Sequence, residues 1–192
     1  TTTPFYLIRT DITGFFESIP QQALLDKINV NNLVNNKTKG MIKGILAEYN
    51  KQKDLNKIKT DYGVPRGIGI SSYLSEIYMH DIDQHIKNRE EVIFYARYVD
   101  DILIILAGLP NNQRISEYYK GLKNLFQNYG LELKKNDPKE NKCKLIDFYN
   151  STAKQQFTYL GYNITITKTS NVSNVEFGMT DKKVAKIKHK ID

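Results

Sequence analysis

Cysteine is almost missing from this 192-residue chain: Cys143 stands alone, which excludes an internal disulfide and a cysteine-built zinc cage. Histidine is nearly as scarce, and His80, His85 and His189 are too scattered for a His-rich metal site. No apolar run approaches the roughly 20 residues that a membrane-spanning helix needs. The longest, Ile102 to Leu109, has eight. The opening Thr1-Thr2-Thr3-Pro4-Phe5 has neither a basic segment nor an apolar stretch ending in small residues. These absences set the expectation of an intracellular, cytoplasmic protein with no membrane partner. Repeats and low-complexity tracts are lacking too. With 40% hydrophobic and 26% charged residues, one folded domain with a real core is expected.

Positive charge is in excess, with 28 Lys and Arg against 21 Asp and Glu for a formal +7. The excess is uneven: residues 1–130 carry 16 basic and 14 acidic side chains, residues 131–192 carry 12 and 7. A basic C-terminal field favours a polyanion, nucleic acid being the commonest, although a solvated basic face gives the same count.

Residues 5 to 10, Phe-Tyr-Leu-Ile-Arg-Thr, read as a strand ending at Asp11, followed by a turn signal at Thr13-Gly14. A strand so close to residue 1 sets the expectation that the chain is part of a longer protein. From Gln21 to Tyr49 the apolar spacing gives two helices separated by the Asn-rich stretch Asn29 to Asn36. Lys51 to Lys59 reads as a polar connector and Gly63 to Gly69 as a tight turn region. A helix then follows, capped by Ser71 or Ser72, with Leu74, Ile77, Tyr78, Ile82 and Ile86 on one face. Val92 to Val99 and Ile102 to Leu106 form a hairpin pattern with Asp100-Asp101 at its tip. Residues 115 to 129 read as an amphipathic helix stopped at Gly130. Leu131 to Leu133 and Phe157 to Ile166 read as strands around a lysine-rich loop, and Asp181 to Asp192 as a basic helix. The order of elements indicates an α+β fold.

Two adjacent Asp at a hairpin tip are often only turn residues. Asp11 changes that reading. It too ends a strand, so neighbouring strands would bring three carboxylates to one sheet edge, an arrangement that needs cations to neutralise it. Hard oxygen ligands in that number suit Mg²⁺, and two such ions about 3.5–4 Å apart serve nucleotidyl transfer.

Asp11-Ile-Thr-Gly-Phe-Phe-Glu-Ser-Ile19 resembles the first catalytic motif of reverse transcriptases, and Tyr98-Val-Asp-Asp101 matches their Tyr-x-Asp-Asp motif. Between them, Gly63-Val-Pro-Arg-Gly-Ile-Gly69 and the residues to Met79 look like the Pro-x-Gly loop and helix of the same palm. Phe157-Thr-Tyr-Leu-Gly-Tyr162 is similar to the primer-grip hairpin. The order and spacing of these motifs agree with the family over nearly the whole chain.

The resemblance implies a right-hand polymerase palm, an antiparallel sheet with helices packed on one face, with part of the fingers and the start of a thumb. Its implied layout is palm in residues 1–26, a helical fingers and palm connection in 27–62, palm with the catalytic hairpin and primer-grip strands in 63–166, and the beginning of a thumb in 167–192. It further implies RNA-directed DNA polymerase activity with two Mg²⁺, Mn²⁺ being a substitute, held by Asp11, Asp100, Asp101 and the carbonyl of Ile12. Phe16, five residues after Asp11, falls at the steric gate that excludes a 2′-hydroxyl. One of Phe15 and Phe16 is expected in the core, since neighbours on an extended segment face opposite ways. Arg66, Gly67, Gly69 and Tyr98 would contact the nucleotide or primer end, and Tyr159, Leu160 and Gly161 would form the primer grip. Arg66 stands where most of the family has Gln, and an Arg there reaches for a phosphate. Lys142 and Lys144 are candidate general acids for the leaving pyrophosphate. The basic run Lys182 to Lys188 reads either as the entrance to a thumb helix or as an exposed helix face.

The implied partners are an RNA template, a DNA or RNA primer and deoxynucleotides. The wording Phe-Phe-Glu-Ser-Ile leans toward the bacterial group II intron, retron and antiphage-defence, abortive-infection-like enzymes, which brings in a noncoding RNA or protein-primed, template-independent synthesis. A catalytically silent, RNA-binding maturase-like scaffold is the reading from a different class, and the intact Asp11, Asp100 and Asp101 argue against it. Phe16 and the Pro-Arg-Gly loop disfavour a nucleotide cyclase or an RNA-directed RNA polymerase. Oligomeric state is not legible in the sequence.

Overall fold

The structure, a computed structural model, describes residues 5–30, 34–56, 58, 60–109, 114–136, 142–149, 154–168 and 173–189. In chain order the elements are β1 (Tyr6–Asp11), α1 (Phe15–Ser18), α2 (Gln21–Val30), α3 (Asn36–Leu55), α4 (Gly69–Lys87), β2 (Val92–Tyr98) and β3 (Asp101–Leu106). There follow α5 (Ile115–Asn128), β4 (Lys144–Asp147), β5 (Gln155–Tyr159), β6 (Tyr162–Lys168), β7 (Ser173–Met179) and α6 (Asp181–Lys188). The α+β expectation holds. The chain divides into two compact units, one of Thr1–Asp11, Lys87–Leu122 and Lys134–Asp192, the other of Ile12–Ile86 and Lys123–Leu133.

In the first unit β1 pairs antiparallel with β3 on one side and β4 on the other, and β2 adds to β3, giving the order β2-β3-β1-β4. β1 is interior and covered on both faces, and every residue from Leu7 to Asp11 is buried, the polar Arg9, Thr10 and Asp11 included. The period of two puts Leu7, Arg9 and Asp11 on one face, Ile8 and Thr10 on the other. On the first face Leu7 clusters with Leu103, Ile146, Phe148, Phe157 and Ile166, the last two from a second antiparallel sheet of order β5-β6-β7. On the other face the hydroxyls of Thr10 and Tyr119 in α5 lie 2.6 Å apart, and Tyr119 donates to the carbonyl of Lys134 at 2.6 Å. Burial, followed by the neighbouring Cys143, pushes the Tyr119 phenol upward, so it stays a donor.

The expected hairpin forms. Tyr98 faces Asp101 across a two-residue turn, Val99-Asp100, and Val99 sits at φ 58. A β-branched residue in the left-handed region is strained, and only a chain held on both sides keeps it there.

The second unit gathers α1, α2, α3 and most of α4. Leu74, Tyr78, Ile82 and Ile86 of α4 are buried as their spacing predicts, and Tyr78 donates to the carbonyl of Tyr129 at 2.5 Å. The turn region after Tyr62 is stitched to α1. Gly63 N–H donates to the Ile19 carbonyl and Val64 N–H to the Phe16 carbonyl, both at 2.7 Å. Gly63 has φ 83, and a Cβ there would stand 2.8 Å from the Glu17 Cα.

Several local expectations are corrected. Residues 15–18 form a helical turn, so Phe15 is buried and Phe16 half-buried through helical rather than extended geometry. Helix α3 runs through Leu55 into the supposed connector, because Lys53 is buried and its ammonium donates to the Tyr62 carbonyl at 2.8 Å. Helix α4 starts at Gly69, and the Ser71 hydroxyl donates to the Pro65 carbonyl instead of capping. Leu131 to Leu133 contributes only an isolated bridge, Leu133 to Ile12, and the lysine-rich loop gives way to β4 at Lys144. The stretch 157–166, read as strand from its pattern and as a hairpin over 157–162 from the resemblance, is two antiparallel strands joined at Leu160 (φ 49) and Gly161 (φ 78), while β7 has no counterpart in that reading. The terminal helix is observed from Asp181 to Lys188, capped by Thr180, and residues 190–192 lie outside the described residues.

Two stability outcomes follow from these turns. Gly63→Ala is expected to lower the unfolding free energy by about 2–4 kcal/mol in denaturant titrations, since a Cβ meets backbone and the left-handed φ is lost. Val99→Gly is expected to raise it by about 0.5–1 kcal/mol, the relieved strain of about 1–2 kcal/mol exceeding the extra chain entropy of glycine.

Candidate active site

The site is built on the ends of β1 and β3. Asp11, the last residue of β1, is the cross-strand partner of Asp101, the first of β3, and Asp100 precedes it in the turn. The convergence expected from the sequence is thus produced by register alone. Directly opposed like charges destabilise a sheet, and burial makes this worse. Burial raises the Asp11 carboxyl above its ordinary range, and the charges of Asp100 and Asp101 raise it further against the pull of Lys142 and Arg9. The Asp101 carboxyl is also raised by burial, with Arg9 opposing and Asp100 adding to the shift.

Protein cations meet this charge. The guanidinium of Arg9, on the same face two residues before Asp11, forms an ion pair and hydrogen bond with Oδ1 of Asp101. The Lys142 ammonium lies 3.6 Å from Oδ2 of Asp11. Lys144, the other candidate acid, faces Arg9 across β1 and β4. Ile12 is buried, and the hydrogen bonds flanking its bridge to Leu133 use the carbonyls of Asp11 and Glu132 rather than its own.

Among the described residues no three His, Cys, Asp or Glu side chains form a ready-made metal cage. The donor chemistry nonetheless fits a hard divalent cation: the Asp11 and Asp101 carboxylates are cross-strand partners at one sheet edge with Asp100 in the adjoining turn, all of them oxygen donors.

Tyr98, Val99, Asp100, Asp101, Leu160, Gly161, Tyr162 and Lys183 line one open cavity of about 650 Å³, so the hairpin tip meets two of the primer-grip candidates, Leu160 and Gly161, in one place. Tyr159 is close enough for Asp101 to add to the upward shift that burial gives its phenol. Lys183 lies 3.5 Å from the Tyr162 ring centroid and donates to the Leu160 carbonyl at 3.2 Å, while the Thr180 hydroxyl donates to Gly161 at 3.1 Å. These contacts fix the turn whose two positive φ values match a two-residue hairpin loop.

Phe16, Arg66 and Gly67 belong to the second unit. The Phe16 ring centroid lies 5.5 Å from that of Phe15. Arg66 grips Glu17 with two nitrogens, Nη2 to Oε2 at 2.7 Å, so the guanidinium expected to reach a phosphate is engaged by a carboxylate of the first motif. Among the described residues, and apart from their chain neighbours and the backbone of α4, nothing lies within 4 Å of where a Cβ on Gly67 or Gly69 would stand. Arg9 and Glu17 were given no role by sequence reasoning. The signal for Arg9 was its two-residue offset from Asp11 in a strand, which places both on one face. No comparable signal pointed to Glu17.

A family model described as reverse transcriptase (RNA-dependent DNA polymerase) matches residues 2–164. Among solved structures, the chain is similar to an apo telomerase from Candida tropicalis truncated from its C-terminal domain, with 16% identity and a TM-score of 0.61 over 92% of this chain and 36% of that one. It is also similar to telomerase from Candida albicans in complex with a TWJ fragment of telomeric RNA, with 12% identity and a TM-score of 0.57 over 90% of this chain and 30% of that one. The chain therefore spans about a third of the telomerase chains it resembles, and at these identities the likeness shows the fold. No curated protein sequence matches it. With its matched family model spanning the motifs, the opposed carboxylates and most of the α+β fold, the chain belongs to the reverse transcriptase family.

Proposed function

We propose that this chain is the catalytic palm of an RNA-directed DNA polymerase that adds deoxynucleotides to a primer 3′-hydroxyl. The observation that carries the reading is the Asp11–Asp101 cross-strand pair with Asp100 beside it, in a chain of this family. Asp11, Asp100, Asp101 and the Ile12 carbonyl would hold two Mg²⁺, or Mn²⁺ in their place. Bound there, the ions would supply a lowered pKa for the attacking hydroxyl and charge neutralisation at the leaving pyrophosphate. The residues' own work is positioning. Tyr98 and the turn at Tyr159, Leu160 and Gly161 hold the primer end in the cavity beside Asp100 and Asp101, a role supported by the shared lining of Tyr98, Leu160 and Gly161. Phe16 stacks beneath the sugar and excludes a 2′-hydroxyl, Gly67 admits the nucleotide to the backbone, and Arg66 exchanges Glu17 for a phosphate. The approach of Lys142 to Asp11 favours it over Lys144 as proton donor to pyrophosphate.

The basic C-terminal third and the chain's share of its structural relatives support a larger polymerase that binds an RNA template and a DNA or RNA primer. In it, residues 1–26 and 63–166 form palm, 27–62 the helical connection and 167–192 the start of a thumb. The first-motif wording supports a bacterial intron, retron or antiphage-defence relative, with a noncoding RNA as the template to test first.

Labelled deoxynucleotide incorporation by the full-length protein, with primed RNA, primed DNA or no template, tests this reading. Asp100→Asn with Asp101→Asn is expected to reduce incorporation by at least about a thousandfold. Incorporation without template would redirect the reading to protein-primed synthesis, and none under any condition, with RNA binding retained, to a silent scaffold. Phe16→Ala is expected to raise ribonucleotide use relative to deoxynucleotide use by about 10–100-fold in steady-state competition.

A further inference from the structure

Arg9 is a basic side chain in an interior strand, 7% exposed, with a polar group that has to be matched. On the four-stranded sheet its cross-strand neighbours are Leu103 and Lys144, and its guanidinium reaches diagonally past Leu103 to Oδ1 of Asp101. Asp11 lies two residues on, on the same face. Arg9, Asp11 and Asp101 thus form a group on one face in which the guanidinium pairs with Asp101, while Lys142 approaches Asp11 from the loop before β4. A guanidinium carries its charge at every physiological pH and binds carboxylates with defined geometry, so the pairing is permanent unless another cation takes its place.

We propose that Arg9 and a divalent cation compete for the Asp101 carboxylate, so that Arg9 is a positioning residue which holds Asp101 in line with Asp11 and sets how tightly the site binds metal. The inference rests on the proposed metal-dependent function. A cation held by Asp11 and Asp101 would draw on the same carboxylate that Arg9 engages and would sit close to a like charge. Releasing Arg9 therefore weakens the site's intrinsic affinity. In return, the guanidinium holds the Asp101 side chain aligned beside Asp11 on one face of the sheet.

The test uses the full-length protein with Mn²⁺ as probe, its binding followed by calorimetry and by the electron paramagnetic resonance of the free ion. Arg9→Met, which keeps the apolar stem and removes the charge, is expected to bind Mn²⁺ about tenfold more tightly. Its melting temperature without metal should fall, and the gain on adding Mn²⁺ should exceed that of the unmodified protein. Arg9→Lys, with a charge that reaches less well, should fall between the two. Unchanged or weaker Mn²⁺ binding in both variants, with binding to the unmodified protein abolished by Asp101→Asn, would overturn the competition and leave the metal-dependent reading intact. No binding to the unmodified protein, or binding indifferent to Asp101→Asn, would overturn both. If Arg9→Met fails to fold, Mn²⁺-soaked crystals of the unmodified protein decide. Arg9 withdrawn beyond about 4 Å from a metal-bound Asp101 supports competition, and a retained ion pair overturns it.

Discussion

Everything in the first unit depends on the register of β1. Because side chains alternate with a period of two, pairing Asp11 with Asp101 also fixes Leu7 and Arg9 on the Asp11 face and Ile8 and Thr10 on the other. The first face is closed by the second sheet through Phe157 and Ile166, the other by α5 through Tyr119. A slip of one residue would expose the Leu7 cluster and turn Asp11 toward the helix. The hydrophobic contacts of two layers therefore hold the site's geometry.

The site works against the fold that holds it. Burial and mutual repulsion raise both Asp11 and Asp101, and the turn between the strands keeps Val99 at a positive φ. Such costs accumulate where a function needs them and are met elsewhere. Here the compensation is local as well as distant: Arg9 lies on the same strand face, Lys142 at the entry to β4, and Arg97 donates to the Val99 carbonyl at 2.9 Å. The strain and the charge are both answered within a few residues of where they arise. This is why the hairpin tip can be narrow and still open on a cavity.

What could be read in the sequence was what period and composition encode. β1, the β2–β3 hairpin, α4 and α5 have apolar spacing strong enough to announce them, and the three Asp stood out because Asp11 ends a strand and Asp100-Asp101 lie at a hairpin tip. Helix α3 was cut short because its last turn is polar on the page, although Lys53 is buried through a bond to Tyr62 that only the fold supplies. Strand β4 has four residues in a lysine-rich setting, too few for a period to show. Strand β7 does alternate, with Val175, Phe177 and Met179 on one side, but those side chains remain exposed, so the usual link between alternation and burial fails there. Arg9 was legible as a strand residue and illegible as a partner. Its role depends on β3 lying alongside, a long-range pairing that local pattern does not contain.

Arg66 shows the same limit from the other side. At sequence level it departs from the glutamine usual in the family and looks like a phosphate ligand. In the second unit it is a strap: its guanidinium grips Glu17, while Gly63 and Val64 bond to Ile19 and Phe16, so three contacts tie one loop to one helical turn. Both partners are substantially solvent-exposed, so screening keeps the ion pair weak compared with the backbone bonds beside it. The loop's place is therefore set by its backbone bonds to α1, while the ion pair fixes where the Arg66 charge stands. Neither residue can be interpreted from its own motif alone.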